Sequence, residues 1–272
     1  MRATILTVNI AGAGLCGEWG LSIHIEHSGR RILLDTGASG LFAENAGAMG
    51  IDLAAVDHGV LSHAHYDHAD GMETFFAVNA RAKFLLRAGA AENCFGYHGD
   101  SLDYIGIRRG TLERFRDRIQ FVSGLYAPYP GAWLLPHTTP GLAALGERAG
   151  MYVQEGTPLR RRPDDFSHEQ TLVLETSRGL AVFSSCSHGG VMNILREVET
   201  AFPGKKILAL VGGFHLYQTT EEEVRALGAR LRESGVERVV TGHCTGEAAY
   251  EILREELPDA EQMRTGLVID IP

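Results

Sequence analysis

The ten residues Ser62–Gly71, SHAHYDHADG, hold three histidines and two aspartates. Read as a strand, His63, His65 and Asp67 share one face and His68 opposes them. Read as a helix, His63, Asp67 and His68 group together and His65 points away. Neither regular element gathers all four side chains. A loop between a strand and a helix does. The preceding HGVLSH (58–63) reads as a short buried strand, and the following DGMETFFAV (70–78) reads as a helix. Asp70 and Glu73 stand at capping-box spacing for that helix. Imidazole nitrogen and carboxylate oxygen are donors suited to zinc, iron or manganese. An isolated histidine is ordinarily structural or exposed, but four metal-type side chains between His63 and His68 point to a metal cage.

Working outward, the N-terminal third reads as a β-meander. ATILTVNI (3–10) is apolar and β-branched, LSIHIEH (21–27) alternates with period two, and Ser28-Gly29-Arg30 turns into RILLDTG. LFAENAGAMG (41–50) is a short helix stopped by Gly50. Residues 87–165 carry scattered Gly and Pro, a charged helical patch TLERFRDRI and the run Arg160–Arg162. They read as an insertion or lid mixed with strands within a single domain, 1–272. The last third alternates. TLVLET and GLAVFSS form a hairpin, and VMNILREVETAF has helical apolar spacing. KILALVGG is a strand. TEEEVRALGARLRESG is a helix with Thr220 and Glu223 as capping box, ended by Gly235. VERVVTGH, GEAAYEILREEL and LVIDI follow as strand, helix and strand. This order implies an α/β layered domain.

The chain has 272 residues, is 44% hydrophobic and carries a formal net charge of -9. That suits one large domain, and nothing in the charge favours nucleic acid or an anionic membrane as partner. Two divalent ions would locally offset about four negative charges and let an anion bind. No segment reaches the ~18 apolar residues of a membrane span. The N-terminus lacks a signal-peptide apolar region. Cys16, Cys94, Cys186 and Cys244 form no CxxC pair. A reducing cytoplasm is therefore the expected compartment.

SHAHYDHADG resembles the HxHxDH motif of the metallo-β-lactamase superfamily. ILLDTG resembles that superfamily's aspartate at the end of an early strand, here Asp35. SSCSHGGVMNI, VGGFHL and TGHCTG are similar to later motifs of its branch of metal-dependent hydrolases of β-lactamase superfamily II. That branch is linked with dihydropterin ribofuranosylaminobenzene phosphate synthase-like proteins. The resemblance covers nearly the whole chain and is weakest over 87–165. It implies a four-layer αββα sandwich with the site at one edge. It also implies two metals, zinc first with manganese or iron as alternatives. One would be held by His63 and His65, the other by Asp67 and His68. Further ligands would come from Cys186, His188, His215 and His243, at strand ends in the second half. Many members place a bridging aspartate after the hairpin strand, where this chain has SSCSH. Cys186 either replaces it as a thiolate or is a small buried residue. His188 would supply the ligand that a missing HxxGH motif leaves open. His215 is either a ligand or a proton donor, the second being preferred.

Gly189-Gly190, Gly212-Gly213 and the helix start at Thr219-Thr220 would present backbone N–H groups to an anion. The expectation is a metal-dependent hydrolase of a small phosphoester, with Asp67 and His215 as catalytic groups and a small anionic molecule as partner. A lactone or thioester is the alternative substrate. A non-catalytic metal-containing binding module and a diiron redox enzyme are the competing classes. His24 and His27 read as surface residues. His58, His98, His137 and His168 read as bystanders, Cys244 as packing, and Asp35 as a carboxylate that fixes imidazole tautomers. Oligomeric state is not legible.

Overall fold

The β-branched N-terminal segments pair as a meander, Arg2–Thr7 with Ser22–His27 and Ser22–His27 with Arg30–Leu34, all antiparallel. The computed structural model describes all 272 residues. The last strand, Val268–Asp270, returns to pair with Arg2–Thr7. On the other side, His58–Val60, Lys83–Arg87 and Ile119–Val122 add in parallel and complete a seven-stranded sheet. A second seven-stranded sheet is centred on the hairpin Gln170–Glu175/Leu180–Phe183. Ile207–Gly212, Val239–Thr241 and Glu261–Gln262 extend it in parallel. Ala132–Pro136 and Tyr126–Tyr129 extend it antiparallel on the other side.

Strand alternation sorts side chains into three apolar layers. Ile32, Leu34, Leu172, Leu174, Ala181 and Phe183 face inward between the sheets. Their neighbours Leu33, Val173 and Val182 face outward onto helices. The first sheet is covered by helices Leu41–Ala48 and Met72–Val78 through Phe42 and Phe75. The second is covered by Val191–Ala201, Glu221–Glu233 and Glu247–Glu256. Each buried Leu, Ile or Phe contributes about 1.5–3 kcal/mol. The result is the expected four-layer αββα sandwich. None of its helices is long and apolar enough to cross a membrane.

The Thr220–Glu223 capping box forms as read, the Thr220 hydroxyl accepting the Glu223 N–H and the Glu223 carboxylate accepting the Thr220 N–H. The Asp70 cap does not form. Helix Met72–Val78 starts from Gly71, where a Cβ would lie 2.2 Å from the Thr36 carbonyl oxygen. With the chain pressed against that backbone, Asp70 turns away and accepts the Arg108 N–H at 2.9 Å. His24 and His27 are buried rather than on the surface. His27 spans the two sheets, with Nε2 2.6 Å from the Glu175 carbonyl oxygen and Nδ1 3.0 Å from the Tyr129 hydroxyl.

Residues 87–165 give one edge strand to the first sheet and two to the second. Much of the remainder joins a small antiparallel sheet ordered Arg160–Pro163, Met151–Glu155, Cys94–His98, Ser101–Tyr104. TLERFRDRI makes two short turns, Thr111–Arg114 and Arg116–Arg118, instead of one helix. Arg162 of the basic run is spent on Glu155 and Asp165. The loop after strand Ser101–Tyr104 of this sheet grips the HxHxDH stretch. Ile105 accepts the Tyr66 N–H, Ile107 donates its N–H to Ala64, and Gly106 bridges His65.

Candidate metal centre

The strand His58–Val60 ends just before the histidine-rich stretch, and Ser62–His65 runs as loop until a four-residue helical turn, Tyr66–Ala69. The hairpin strand Leu180–Phe183 ends just before Ser184–His188, and Val239–Thr241 ends just before His243. All these strand ends meet at one edge of the sandwich and make two triads. In the first, the rings of His63, His65 and His188 lie 4.6–4.8 Å apart between centroids. In the second, Nε2 of His68 lies 3.1 Å from Nε2 of His243, and Asp67 Oδ2 lies 3.6 Å and 3.3 Å from those nitrogens. The His63 and His68 rings are 4.2 Å apart, so the triads adjoin. Cys186 Sγ is 3.4 Å from His68 Nε2 and shares donor groups with both triads.

Neighbouring side chains fix the tautomers. The Ser62 hydroxyl donates to Asp35 Oδ2 at 2.7 Å and accepts from His63 Nδ1 at 2.8 Å. His68 Nδ1 donates to the same Asp35 oxygen at 2.8 Å, and His243 Nδ1 donates to Asn9 Oδ1 at 3.0 Å. Each ring thereby turns Nε2 into the cage, as the sequence reading of Asp35 expected. Asp35 (φ 59), Ser187 (φ 56), His215 (φ 51) and His243 (φ 54) adopt left-handed backbone. Such strain collects at functional sites.

The donor chemistry fits a cation. Buried Nε2 of His63 and of His65, and both nitrogens of His188, have no hydrogen-bond partner. Each such group left bare costs about 1–3 kcal/mol. Burial, then neighbouring imidazoles, pushes His63 and His188 well below the usual histidine range and His65 down to about 3. These rings are neutral lone-pair donors. The second triad differs. Burial acts against protonation of His68, but Asp67 and Asp35 outweigh it and raise the ring to about 9. Burial likewise opposes the Asp67 charge, and His68 and His243 outweigh it, holding the carboxyl well below its usual range. Charges that attract a proton here attract a divalent cation by the same means. Burial pushes the Cys186 thiol up, so its thiolate needs a cation beside it.

A third donor group, His65, Cys94, Asp164 and His168, is of another kind. His168 Nδ1 accepts the Ala64 N–H at 3.1 Å and Nε2 donates to Asp164 at 2.9 Å, so both nitrogens are satisfied. This pair braces the loop. His137 is also a brace. It is clamped between Glu169 (2.6 Å) and Glu197 (2.9 Å), whose hydrogen bonds outweigh burial and raise it to about 9. Glu169 in turn accepts the N–H of His188 at 3.0 Å and of Gly189 at 2.8 Å. That overturns the expected anion site at Gly189-Gly190, because the Gly189 amide already serves the Glu169 carboxylate and the Gly190 amide the Ser187 carbonyl. Gly213 N–H is likewise taken by the Ser185 carbonyl and Thr220 N–H by Glu223.

Sequence reasoning missed Glu169, Glu197, Asn9 and the bracing roles of His137 and His168. The one available signal was the polar run His168-Glu169-Gln170 directly ahead of the apolar strand TLVLE. A cleft of about 420 Å³ opens onto the cage. Asp67, Cys186, His188 and His215 line it, with Trp19 and Tyr217 at 6.0 Å from each other. His215 is half-buried, its ring 4.4 Å from His188, with Nδ1 free of any partner. His98, exposed and paired with Asp103, stands at the rim. Cys244 packs with Sγ towards the Cys186 carbonyl, and His58 stacks on Tyr129 outside the site.

Sheet order, helix placement and donor chemistry set the chain in the class of αββα sandwiches with a metal-type cage at one edge. Comparison narrows the class. The model of the Metallo-beta-lactamase superfamily matches residues 20–80. The crystal structure of Tm1679, a metal-dependent hydrolase of the beta-lactamase superfamily, is 30% identical with a TM-score of 0.85, covering 100% of this chain and 99% of that one. A 7,8-dihydropterin-6-methyl-4-(beta-D-ribofuranosyl)-aminobenzene-5'-phosphate synthase of Methanocaldococcus jannaschii is 28% identical, over 93% of this chain and 90% of its own length. Zn(2+)-bound PqqB from Methylobacterium extorquens shares the fold, with a TM-score of 0.59, 16% identity and 100% of both chains covered. The chain belongs to the metallo-β-lactamase superfamily.

Proposed function

We propose that the chain is a metal-dependent hydrolase of a small phosphoester. The observation that carries this reading is the set of buried, unpartnered imidazole nitrogens facing an open cleft. A purely structural metal is closed off, whereas a catalytic one keeps an accessible position. In this reading His63, His65 and His188 hold one divalent ion. Asp67, His68 and His243 hold another, with Cys186 between them. Zinc is the ion that imidazole, carboxylate and thiolate donors together suit best, manganese or iron being the alternatives. When bound, the ions supply Lewis acidity towards the substrate and make water acidic enough to react at neutral pH.

The chain's own groups do the remaining work. Asp67, held ionised, turns Oδ2 to His68 and His243 and keeps its other oxygen to orient a water. His215 is the proton donor to the leaving group, since its Nδ1 has no partner and its ring lines the cleft. Asp35 and Asn9 hold the rings in their tautomers. The relative named a metal-dependent hydrolase supports hydrolysis. The relative named a synthase makes a product bearing a 5'-phosphate, which supports a phosphate-bearing ligand and also favours a second reading, group transfer.

The test is a panel of phosphodiesters, phosphomonoesters, lactones and thioesters, each with zinc, manganese and iron. Metal-dependent turnover of a phosphoester is expected. Turnover confined to lactones or thioesters would shift the substrate class. No turnover on any of them would overturn the hydrolase and leave a transferase or a binding module.

A further inference from the structure

A second cleft, of about 400 Å³, lies beside the cage. His188 and His215 line both clefts, so the two adjoin at the first triad. The far wall carries Arg148, at the end of helix Ala143–Arg148, and Arg230, in helix Glu221–Glu233. Both are exposed, and neither has a carboxylate oxygen within 4.0 Å. Their neighbours differ. Arg225 and Arg232 on the same helix as Arg230 are paired with Glu221 and Glu256. The acid lining this cleft, Glu223, is committed to Thr220, accepting its N–H at 3.3 Å and its hydroxyl at 2.9 Å. The first turn of the eleven-residue helix Val191–Ala201 forms the floor, and its positive end faces the cleft. Two guanidinium groups without a contact ion pair, Arg148 feeling Glu223 only at longer range, stand beside an unpartnered buried imidazole and run against the chain's net charge of -9.

We infer that this cleft binds a second phosphate group of the substrate, remote from the bond being cleaved, between Arg148 and Arg230. The inference rests on the phosphoester reading and refines it to a substrate with two anionic ends. Guanidinium groups match phosphate oxygens bidentately, which a lysine cannot do. It also explains how an anion is recognised here when the glycine amides beside the cage are already taken, that of Gly189 by Glu169 and that of Gly190 by the Ser187 carbonyl.

The test uses the metal-loaded full chain and calorimetric binding of propyl phosphate against a series of alkane-α,ω-bisphosphates of increasing length. One linker length is expected to bind about tenfold more tightly than propyl phosphate. The gain disappears in R148Q/R230Q, with propyl phosphate affinity and metal content unchanged, and is partly kept in R148K/R230K. Both arginines are exposed, so the variants fold. No bisphosphate advantage in the wild type, no binding of either probe, or an advantage that survives R148Q/R230Q would each overturn the subsite. Failure of the hydrolase reading looks different: no turnover of any phosphoester, with the arginine-dependent bisphosphate advantage intact, still supports the subsite.

Discussion

The two triads are built from similar side chains and stabilised in opposite ways. His63, His65 and His188 form a neutral group whose inward nitrogens have no partner. Asp67, His68 and His243 form a charged group whose inward atoms lie 3.1–3.6 Å from one another. The first is held from behind by backbone bonds, Ala64 N–H to His168 and His188 N–H to Glu169, and by the neutral Ser62 hydroxyl on His63. The second is held by side chains, Asp35 and Asn9. Position at the first triad is thus a matter of packing and loop geometry. At the second it is a matter of charge.

The largest expected effect tests that division directly. Asp67→Ala should lose about one metal equivalent per chain, read by elemental analysis, and with it nearly all turnover. His65→Ala should lose the other equivalent. Unchanged metal content in both variants would break the assignment of either triad.

Next comes pH. The folded-state pKa of His137, raised to about 9 against 6.5 for the free ring, means that the protonated clamp stabilises the fold fully below pH 6.5. That contribution is lost as pH rises through 9. The shift corresponds to on the order of 3 kcal/mol, shared with Glu169 and Glu197. Urea midpoints of the wild type should fall between pH 6.5 and 9.5 by more than those of His137→Gln. Parallel curves would show that the clamp does not support the His188 loop.

Asp35→Asn should weaken metal affinity by about 10–100-fold. His68 should suffer most, because the amide cannot match the carboxylate as acceptor. An effect of equal size on a chelator competition confined to the first triad would blur the contrast. The smallest effect is expected for Asn9→Ala, which removes one neutral acceptor from His243 and should cost about 1 kcal/mol of metal binding at the second triad alone.

The same contrast explains what could be read from the sequence. Ser62–Gly71 is legible because four donors crowd a stretch too short for any regular element to present together. The meander, the hairpin and the Thr220–Glu223 cap follow from local periodicity and spacing, which act over a few residues. Glu169 and Glu197 are not legible in that way. Each is an ordinary glutamate in its own segment and acquires meaning only when His137 arrives between them from a strand over 30 residues away. Asp70 misled for a related reason. Its spacing to Glu73 is right, but contact of Gly71 with the Thr36–Ser39 backbone decides where the helix begins. His24 misled because period-two alternation assumes a sheet with one wet face, and this sheet is covered on both; His27 shares the parity of Ile23 and Ile25, so the alternation itself turns it inward between the sheets.

His68 and His243 approach to 3.1 Å although 175 residues separate them in the chain. An ion gripped by both would close a covalent-like loop through most of the polypeptide. For a permanent cross-link, closing a loop of more than 100 residues is worth on the order of 5 kcal/mol in chain entropy. The cage is then also a clasp that ties the first sheet, beyond strand His58–Val60, to the second, beyond strand Val239–Thr241, and a chelator would loosen the architecture as well as empty the site.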